Sequence, residues 1–364
     1  MKNGFKMQNL AIGFSLFLNF FFPVFLSADP HELTQAINAV IEPSMTSDAI
    51  PGMALAVRYG EETFLLSYGM ANTQTGEPIT PDTIFDLASI TKVFTSTELA
   101  LLVQKGHMRL NDSIVKFMPD LSKKERAIDK VTLWELATHT SALPRTAPPL
   151  NNNKEYTFQD VEAYMDKWTP EYPTGTKYVY SNLAFDILGD ALSIAAHQPY
   201  ETLIEKDILQ PLGMNSTEFQ VPNKLKKRYS KGYVNNQSVP HLEDKEWPAS
   251  GALRSTARDM LKFLDANMQL HGPKELVNAM QFAQKEDFKV NDYMTLGLGW
   301  QRIKTNGLLI IDKNGDFPGF STYIGMVPEK KAGVVVLINK SNAKSTEIGQ
   351  RILITLIEHN TSKP

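Results

Sequence analysis

The sequence predicts an α+β fold in which one sheet is built from both ends of the chain and a helical region is inserted between them. Short apolar runs bounded by turn residues, which are typical of strands, occur near the amino terminus and return near the carboxyl terminus. The predicted strands are residues 53–59, 63–68, 308–313, 320–326 and 333–339. From about residue 107 to 245, helical patterns alternate with loops. This order of elements predicts a pocket where the sheet meets the helical region.

The individual elements follow from local signals. Gly60-Glu61-Glu62 separates the first two strands and predicts a hairpin turn. The predicted helices are residues 31–46, 91–104, 158–168, 183–196 and 346–359. The second of these is long and apolar and ends just before Gly106, which predicts a buried helix with a glycine stop. Residues 146–157 carry adjacent prolines and three consecutive asparagines, which predict a surface loop.

The first 28 residues have the layout of a secretory signal peptide. Lys2 and Lys6 precede an apolar run over residues 10–26, and Leu26-Ser27-Ala28 offers a cleavage site with small residues. We therefore expect a mature domain at 29–364 that is exported to the periplasm. If the apolar segment is retained instead, it would act as an amino-terminal membrane anchor, although the run is short for a spanning helix.

Composition narrows the function further. With 42% apolar and 21% charged residues, the chain can bury a sizeable core. A net charge of -3 without long runs of one sign argues against nucleic-acid binding. The absence of cysteine excludes disulfides, cysteine-based zinc sites and thiol nucleophiles. The seven histidines form no metal-binding pair at helical spacing, so we expect neither a metal nor another cofactor.

Ser89 and Lys92 form the first candidate catalytic motif. Residues three apart on a helix share a face, so the lysine amine would lie beside the serine hydroxyl. A buried lysine near other cations can lose its proton and serve as the base that activates the serine. The same Ser-x-x-Lys letters occur at 113–116 and 341–344, but only Ser89 follows a strand-like run and begins a buried helix. We therefore predict Ser89 as the nucleophile and Lys92 as its base.

Tyr180 and Asn182 form the second motif. A phenol beside a cation can ionise and carry protons, and an amide can orient a substrate carbonyl. Residues 233–235 repeat the letters Tyr-x-Asn. We predict a catalytic role for Tyr180 and a substrate-binding role for Asn182.

Lys313-Asn314-Gly315 forms the third motif, at the end of a predicted strand. The lysine would supply a fixed positive charge for a substrate carboxylate, and the glycine would let a substrate backbone lie along the strand. The letters Lys-x-Gly also occur at 2–4 and 331–333. Ser-x-x-Lys, Tyr-x-Asn and Lys-x-Gly in this order are the signature of β-lactamases and penicillin-binding proteins, with Tyr-x-Asn in place of Ser-Asp-Asn.

On these motifs the chain resembles the serine β-lactamase and penicillin-binding superfamily, on its class C side. Further segments that carry the resemblance are Leu136 to Arg145, Tyr180 to Asp186, Pro211 to Met214, Leu296 to Trp300 and Pro318 to Phe320. The first two especially resemble the periplasmic AmpH-type penicillin-binding proteins, which are D-alanyl-D-alanine carboxypeptidases and endopeptidases. The resemblance implies a β-lactamase/transpeptidase-like fold, with an antiparallel sheet flanked by helices and an all-helical region. It also implies an oxyanion site made by the backbone N–H groups of Ser89 and Asp316.

Three positions depart from the class C pattern. Asn314 stands where these enzymes usually have threonine, and Thr146 and Gly251 stand where they usually have glutamine and tyrosine. The substrate-binding wall therefore differs from that of a typical class C β-lactamase. His139 lies within a family landmark and is expected to be structural.

Four functions are compatible with the sequence. The first is hydrolysis of D-alanyl-D-alanine peptides of the cell wall through an acyl-enzyme that penicillins also form. The second is a β-lactamase, the third a short-chain esterase, and the fourth a non-catalytic penicillin sensor, against which the complete motif set argues. Peptidoglycan peptides or β-lactams are the expected substrates, and no stable protein partner is evident.

Overall fold

The architecture is that of a computed structural model, which describes Met1 and residues 30–121, 126–146, 158–241 and 248–361. The predicted signal peptide and nearly all of the predicted loop at 146–157 lie outside the described residues. Within the described part, the strands are β1 Gly52–Tyr59, β2 Glu62–Asn72, β3 Glu77–Pro78, β4 Phe85–Asp86, β5 Gly232–Val234, β6 Gln237–Val239, β7 Arg254–Ser255, β8 Phe288–Lys289, β9 Met294–Leu296, β10 Gln301–Thr305, β11 Leu308–Phe317, β12 Phe320–Val327 and β13 Ala332–Ile338.

The α-helices of the described residues are α1 Pro30–Ser47, α2 Thr91–Gln104, α3 Leu133–Ala137, α4 Phe158–Met165, α5 Asn182–Ala196, α6 Tyr200–Ile204, α7 Gln210–Leu212, α8 Pro248–Gly251, α9 Ala257–Asn267, α10 Lys274–Ala283 and α11 Ser345–Thr361. A π-helical stretch, Glu205–Leu209, joins α6 to α7. Short 3₁₀ turns lie at Ala88–Ile90, Ile114–Lys116, Pro119–Leu121, Ala127–Lys130, Lys226–Arg228 and Pro328–Lys330.

The main sheet joins the two ends of the chain, as the sequence predicts. It has nine antiparallel strands in the order β3-β2-β1-β13-β12-β11-β10-β9-β8. The amino-terminal strand β1 pairs with the carboxyl-terminal strand β13, with Leu55 opposite Val336. The predicted α+β fold with an antiparallel sheet built from both termini is confirmed.

Strand β1 is apolar from Met53 to Val57 and does not alternate with polar residues over this stretch. Successive side chains of a strand point to opposite faces of the sheet. Ala54 and Ala56 enter the core that holds α2 and α9, whereas Leu55 and Val57 enter the core that holds α1 and α11. Because helices cover both faces, both sets of side chains must be apolar.

The sheet leaves one edge of β11 open beside the helical region. Strand β10 pairs with β11 only up to Asp312, whereas β12 pairs with β11 as far as Phe317. From Lys313 onward β11 therefore has a single neighbour, and it packs there against the 3₁₀ turn at Ala88–Ile90. The open edge of the sheet meets the start of α2 at this point.

Several elements differ in extent from the sequence prediction. Helix α4 ends at Met165, three residues earlier than predicted. Helices continue beyond the predicted insertion at 107–245, because α8, α9 and α10 extend the helical part to Ala283. The strand-like run at 84–88 contributes only the two residues of β4, which pair with β7. Strands β8, β9 and β10 were not predicted.

Candidate active site

Ser89 lies in a tight turn just before α2. The turn begins with Ala88, whose φ of 50° is in the left-handed region that alanine rarely adopts. The carbonyl of Leu87 accepts a hydrogen bond of 2.8 Å from Thr322 Oγ1 on β12, so the sheet holds the start of the turn. The side chain of Ser89 is half-buried. The turn therefore presents its hydroxyl at the mouth of the cleft.

Lys92 is fully buried beneath Ser89. Its Nζ donates to Ser89 Oγ at 3.2 Å, to Asn182 Oδ1 at 2.8 Å and to the Ser250 carbonyl oxygen at 2.5 Å. These contacts place the amine within hydrogen-bonding reach of the serine hydroxyl. When Lys92 loses its proton, its lone pair is available to accept from Ser89.

Burial of the ammonium group lowers the pKa of Lys92 to about 7. The carboxylate of Asp186 opposes this shift, and the guanidinium of Arg145 adds to it. Asp186 is itself buried and lies one helical turn after Asn182 on α5. The site therefore contains an amine that exchanges its proton near neutral pH.

Tyr180 completes the hydrogen-bonded group around Ser89. Its hydroxyl donates to Ser89 Oγ at 2.6 Å. Lys92 Nζ lies 5.0 Å and Lys313 Nζ 5.1 Å from the centroid of its ring. The phenol hydroxyl thus lies against the serine hydroxyl, and both lysine amines lie close to the tyrosine ring.

Helix α5 fixes the second motif. Ser181 is its N-cap, and the Ser181 Oγ accepts from the Ala184 N–H at 2.9 Å. The same hydroxyl donates to the Pro144 carbonyl at 2.6 Å. Asn182 therefore begins a rigid helix, which explains how its amide reaches Lys92.

Lys313 extends from the part of β11 that pairs only with β12 and is 2% exposed. Burial lowers its pKa to about 8, Tyr180 opposes this shift, and the nearby Lys92 adds to it. The lysine lines a narrow gap together with Thr138, Tyr178 and Gln301. A carboxylate that enters the cleft would meet the ammonium group at the open edge of β11.

Gly315 is the point of closest approach between β11 and the serine turn. A Cβ at this residue would lie 2.4 Å from the Leu87 carbonyl oxygen, 2.6 Å from Thr322 Oγ1 and 3.0 Å from the Ser89 nitrogen. Only glycine fits between these atoms. The backbone of β11 consequently passes beside the Ser89 N–H, where an oxyanion site can form.

The two remaining predicted residues on β11 differ in exposure. Asn314 is half-buried and Asp316 is exposed, and Asp316 Oδ1 accepts from Ser321 Oγ at 2.8 Å. In the alternative Lys-x-Gly at 331–333, Lys331 ends the turn before β13 and Ala332 and Gly333 begin that strand. Lys331 approaches Glu61 at 3.7 Å.

The other two departures from the class C pattern, Thr146 and Gly251, lie outside β11. Thr146 is exposed. Gly251 lies next to Ala88, and a Cβ at Gly251 would find nothing nearer than the Ala88 carbonyl carbon at 3.9 Å. The cleft beside the serine is therefore open at Gly251.

The two alternative Ser-x-x-Lys motifs have structural hydrogen bonds instead. Ser113 Oγ donates to the Asp129 carbonyl at 2.6 Å, and Lys116 forms an ion pair with Asp112. Ser341 Oγ accepts from the Gly319 N–H at 2.6 Å. Neither serine is hydrogen-bonded to the lysine of its own motif.

The alternative Tyr-x-Asn motif is likewise structural. The Tyr233 hydroxyl accepts from the Thr73 N–H at 2.8 Å, and the side chain of Tyr233, which belongs to β5, is buried. It takes no part in the group around Ser89.

His139 lies behind Tyr180 and does not contact Ser89. Its Nδ1 accepts from the Ser181 N–H at 3.1 Å, and its ring centroid is 4.5 Å from that of Tyr180. Burial lowers its pKa well below the usual range for histidine, and the charges of Lys313 and Lys92 lower it further. A neutral imidazole therefore supports the tyrosine ring.

Sequence reasoning missed three contributors to this site. The Ser250 carbonyl and the conformation of Ala88 are backbone features, which cannot be predicted from the residue types at these positions. Asp186 could have been found, because its position four residues after Asn182 puts both side chains on one face of α5. Among the described residues, no cluster of acidic or histidine side chains could hold a metal ion. In the same part of the chain, no helix is long and apolar enough to cross a membrane.

Comparison with known proteins gives consistent matches over most of the chain. The family model described as Beta-lactamase matches residues 37–357. A β-lactamase of Providencia stuartii is 29% identical over 374 residues, which cover 93% of this chain and 94% of that protein. A β-lactamase of Yersinia enterocolitica is 28% identical over 347 residues, which cover 85% of this chain and 87% of that protein.

Solved structures give the same picture. A class C β-lactamase superposes with a TM-score of 0.83 at 26% identity, and the match covers 90% of this chain and 98% of that one. The D-alanine carboxypeptidase AmpC from Burkholderia cenocepacia superposes with a TM-score of 0.80 at 28% identity, over 90% of this chain and 100% of that one. One architecture therefore accommodates both activities.

Proposed function

The chain belongs to the β-lactamase family and is a serine hydrolase, and from that premise we propose that it hydrolyses D-alanyl-D-alanine peptides of the cell wall. The proposed activities are those of a carboxypeptidase and endopeptidase that act through an acyl-enzyme on Ser89. Penicillins would acylate the same serine.

Acylation begins with proton transfer from Ser89. Neutral Lys92, 3.2 Å from the hydroxyl, accepts the proton while the serine oxygen attacks the substrate carbonyl. Tyr180, whose hydroxyl lies 2.6 Å from Ser89 Oγ, donates its proton to the leaving amine as the C–N bond breaks and D-alanine leaves. Protonated Lys92 then returns a proton to Tyr180 and is neutral again. In deacylation, Lys92 accepts a proton from the water that attacks the ester, and this proton passes to Ser89 Oγ as the acyl group leaves.

Substrate binding is assigned to the open edge of β11. Lys313 would bind the carboxylate that both penicillins and D-alanine-terminated peptides carry near the scissile amide. Asn314 would donate an amide hydrogen bond, and Asn182 would orient the substrate carbonyl group. Backbone N–H groups of Ser89 and Asp316 would stabilise the tetrahedral oxyanion.

The open wall at Gly251 is the observation that favours peptides over β-lactams. A side chain there would have free space beside Ala88, so the cleft has room for a peptide acyl group next to Ser89. This wall also lacks the side chain that class C enzymes usually present, and we expect the penicilloyl ester to hydrolyse slowly. β-Lactamase activity is the second candidate, and the names of the similar proteins favour it.

A comparison of three substrates tests the proposal. The mature protein is incubated with a D-alanyl-D-alanine peptide, a chromogenic cephalosporin and a short-chain ester, and kcat/KM is measured for each. The proposal predicts D-alanine release and a long-lived penicilloyl-enzyme. Fast, repeated cephalosporin turnover without D-alanine release would make the protein a β-lactamase. Dominant ester hydrolysis would make it an esterase, and reaction with penicillin but with no other substrate would make it a sensor.

The proposed substrate requires export. We propose that residues 1–28 direct the chain to the periplasm and that the mature protein begins near Asp29. The charge-poor apolar run at 10–26 supports this proposal. Amino-terminal sequencing of the periplasmic fraction should give a chain that starts near Asp29. An intact Met1 on a cytoplasmic protein would refute export, and an intact Met1 in the membrane fraction would indicate a retained anchor.

A further inference from the structure

Three cationic side chains approach the ring of Tyr180, and one of them is exposed. The Arg145 Cζ lies 5.2 Å from the ring centroid, a distance close to those of Lys92 and Lys313. The two lysines are buried, whereas Arg145 is exposed at the mouth of the cleft. The mechanism above assigns a role to both lysines and leaves the arginine unused.

The backbone holds Arg145 in place. Its carbonyl oxygen accepts from the Asn182 N–H at 2.8 Å and from the Leu183 N–H at 3.3 Å, at the beginning of α5. The neighbouring Pro144 carbonyl accepts from Ser181 Oγ. The guanidinium group therefore extends from a backbone that is attached to the same helix as Asn182. The starting point of the side chain is therefore fixed relative to Asn182, and the guanidinium group lies near the ring of Tyr180.

Arg145 forms no ion pair within the described part of the chain. Among the described residues, every ion pair uses other basic groups, and none includes Arg145 or Lys313. The planar guanidinium group favours bidentate binding of a carboxylate. Lys313 and Arg145 reach the cleft from different elements, β11 and the loop after α3. The mouth of the cleft therefore offers two separate positive groups.

We propose that Arg145 forms an anion subsite for a second carboxylate, carried by the acyl part of the substrate. The assignment rests on the proposed function in one respect, which is that Lys313 binds the carboxylate of the leaving D-alanine. The leaving D-alanine has only one carboxylate. A second carboxylate of a peptide substrate must therefore lie on the acyl side of the scissile bond. Peptides with an acidic side chain before D-alanyl-D-alanine fit this description.

A matched pair of penicillins tests the subsite without relying on peptidase activity. Benzylpenicillin and its α-carboxylated derivative differ by one carboxylate on the acyl side chain. The second-order rate constant for acylation is measured for both compounds, in the wild-type protein and in Arg145→Ala, Arg145→Lys and Lys177→Ala. Lys177 is a matched control, because it is also exposed and lies 5.1 Å from a tyrosine ring, that of Tyr172, outside the group around Ser89.

Arg145→Ala should reduce the ratio of the two rate constants, dicarboxylate over monocarboxylate, by about 5- to 20-fold. This range lies at and below the lower end of what a charge-assisted hydrogen bond provides, because the exposed guanidinium is screened by solvent. Arg145→Lys should retain part of the preference, and Lys177→Ala should retain all of it. Arg145 also influences the pKa of Lys92. That influence should change both rate constants by the same factor, so it cancels in the ratio. An unchanged ratio in a folded Arg145→Ala protein, checked by its melting temperature, would overturn the proposal.

Peptides separate this proposal from the proposed function. Two N-acetylated tripeptides that end in D-alanyl-D-alanine and begin with glutamate or glutamine are compared for D-alanine release. Preference for glutamate that disappears in Arg145→Ala supports both proposals. Release from neither peptide refutes the peptidase proposal, while the penicillin ratio still decides the role of Arg145.

Discussion

Replacing Gly315 by alanine would place a methyl group where the structure has no room for one. The new Cβ would lie 2.4 Å from the Leu87 carbonyl oxygen, 2.6 Å from Thr322 Oγ1 and 3.0 Å from the Ser89 nitrogen. Two of these three atoms belong to the backbone of the serine turn and cannot rotate away. Strand β11 and the turn must therefore separate by roughly 1 Å before the nearest contact becomes an ordinary one.

The displacement should affect activity more than stability. A shift of about 1 Å at a reacting group costs on the order of 100-fold in rate. Overpacking of this kind typically costs about 1–3 kcal/mol of folding free energy, which a domain of this size can tolerate. Gly315→Ala should thus lower the second-order rate constant of penicillin acylation about 100-fold, while the protein remains folded.

Gly251→Ala is the matched control on the other side of Ser89. A Cβ at Gly251 meets nothing closer than 3.9 Å, so acylation should be nearly unchanged. Both variants are assayed with a fluorescent penicillin, and their folding is checked by thermal melting. Acylation of Gly315→Ala at the wild-type rate, or an equal loss in the two variants, would refute the role assigned to the close contact.

Three further predictions concern charge. For carboxylate substrates, kcat/KM should rise with pH through about 7, as Lys92 loses its proton, and fall again above about 8, as Lys313 loses its charge. With a neutral ester the fall should be absent. A pH profile without the rise would exclude Lys92 as the base. Lys313→Ala should lower kcat/KM for carboxylate substrates by about 10- to 150-fold and that for the neutral ester much less, and equal losses would contradict the anion site. Burial raises the pKa of Glu98 to about 8, and the charge of Asp207 adds to the shift. Between the ordinary glutamate pKa and about 8, the folded protein therefore keeps a proton that the unfolded chain releases. The free energy of unfolding consequently falls as pH rises through this range. Glu98→Gln should therefore raise the melting temperature more at mildly alkaline than at mildly acidic pH, and an equal change at both would show that Glu98 is not protonated in the fold.

Four of the predicted site residues, Ser89, Lys92, Tyr180 and Lys313, lie close together in the structure. The predicted elements around Ser89 and Lys313 distinguish them from other residues with the same motif letters, whereas no local signal distinguishes Tyr180 from Tyr233. The letters alone could not make this choice, since Ser113 also has a lysine three residues later. The deciding signal was the apolar context, which places a helix in the core and its first turn at a cleft.

The strands of the sheet were predicted where packing controls the sequence. Strand β13 is buried along its whole length and reads as a continuous apolar run. Strands β8, β9 and β10 are short and partly exposed, so their residues carry little periodicity. Strands β1 and β13 pair although they lie near opposite ends of the chain. Local sequence patterns indicate this pairing only because both ends contain strand-like apolar runs.

Backbone features account for the rest of what the sequence could not predict. The Ser250 carbonyl that accepts from Lys92 and the left-handed Ala88 depend on the folded path of the chain. The wall at Gly251 is visible in the sequence only as a departure from a family pattern. Its openness, which supports the proposed preference for peptides, is a property of the space around it.

Mass spectrometry of the acyl-enzyme tests the central claim most directly. The mature protein is mixed with benzylpenicillin, quenched over a time course, and its intact mass and proteolytic peptides are measured. The account predicts one penicilloyl adduct, located on Ser89 and long-lived, that is absent in Ser89→Ala and retained in Ser113→Ala and Ser341→Ala. An adduct on another residue, or full modification of Ser89→Ala, would contradict the account.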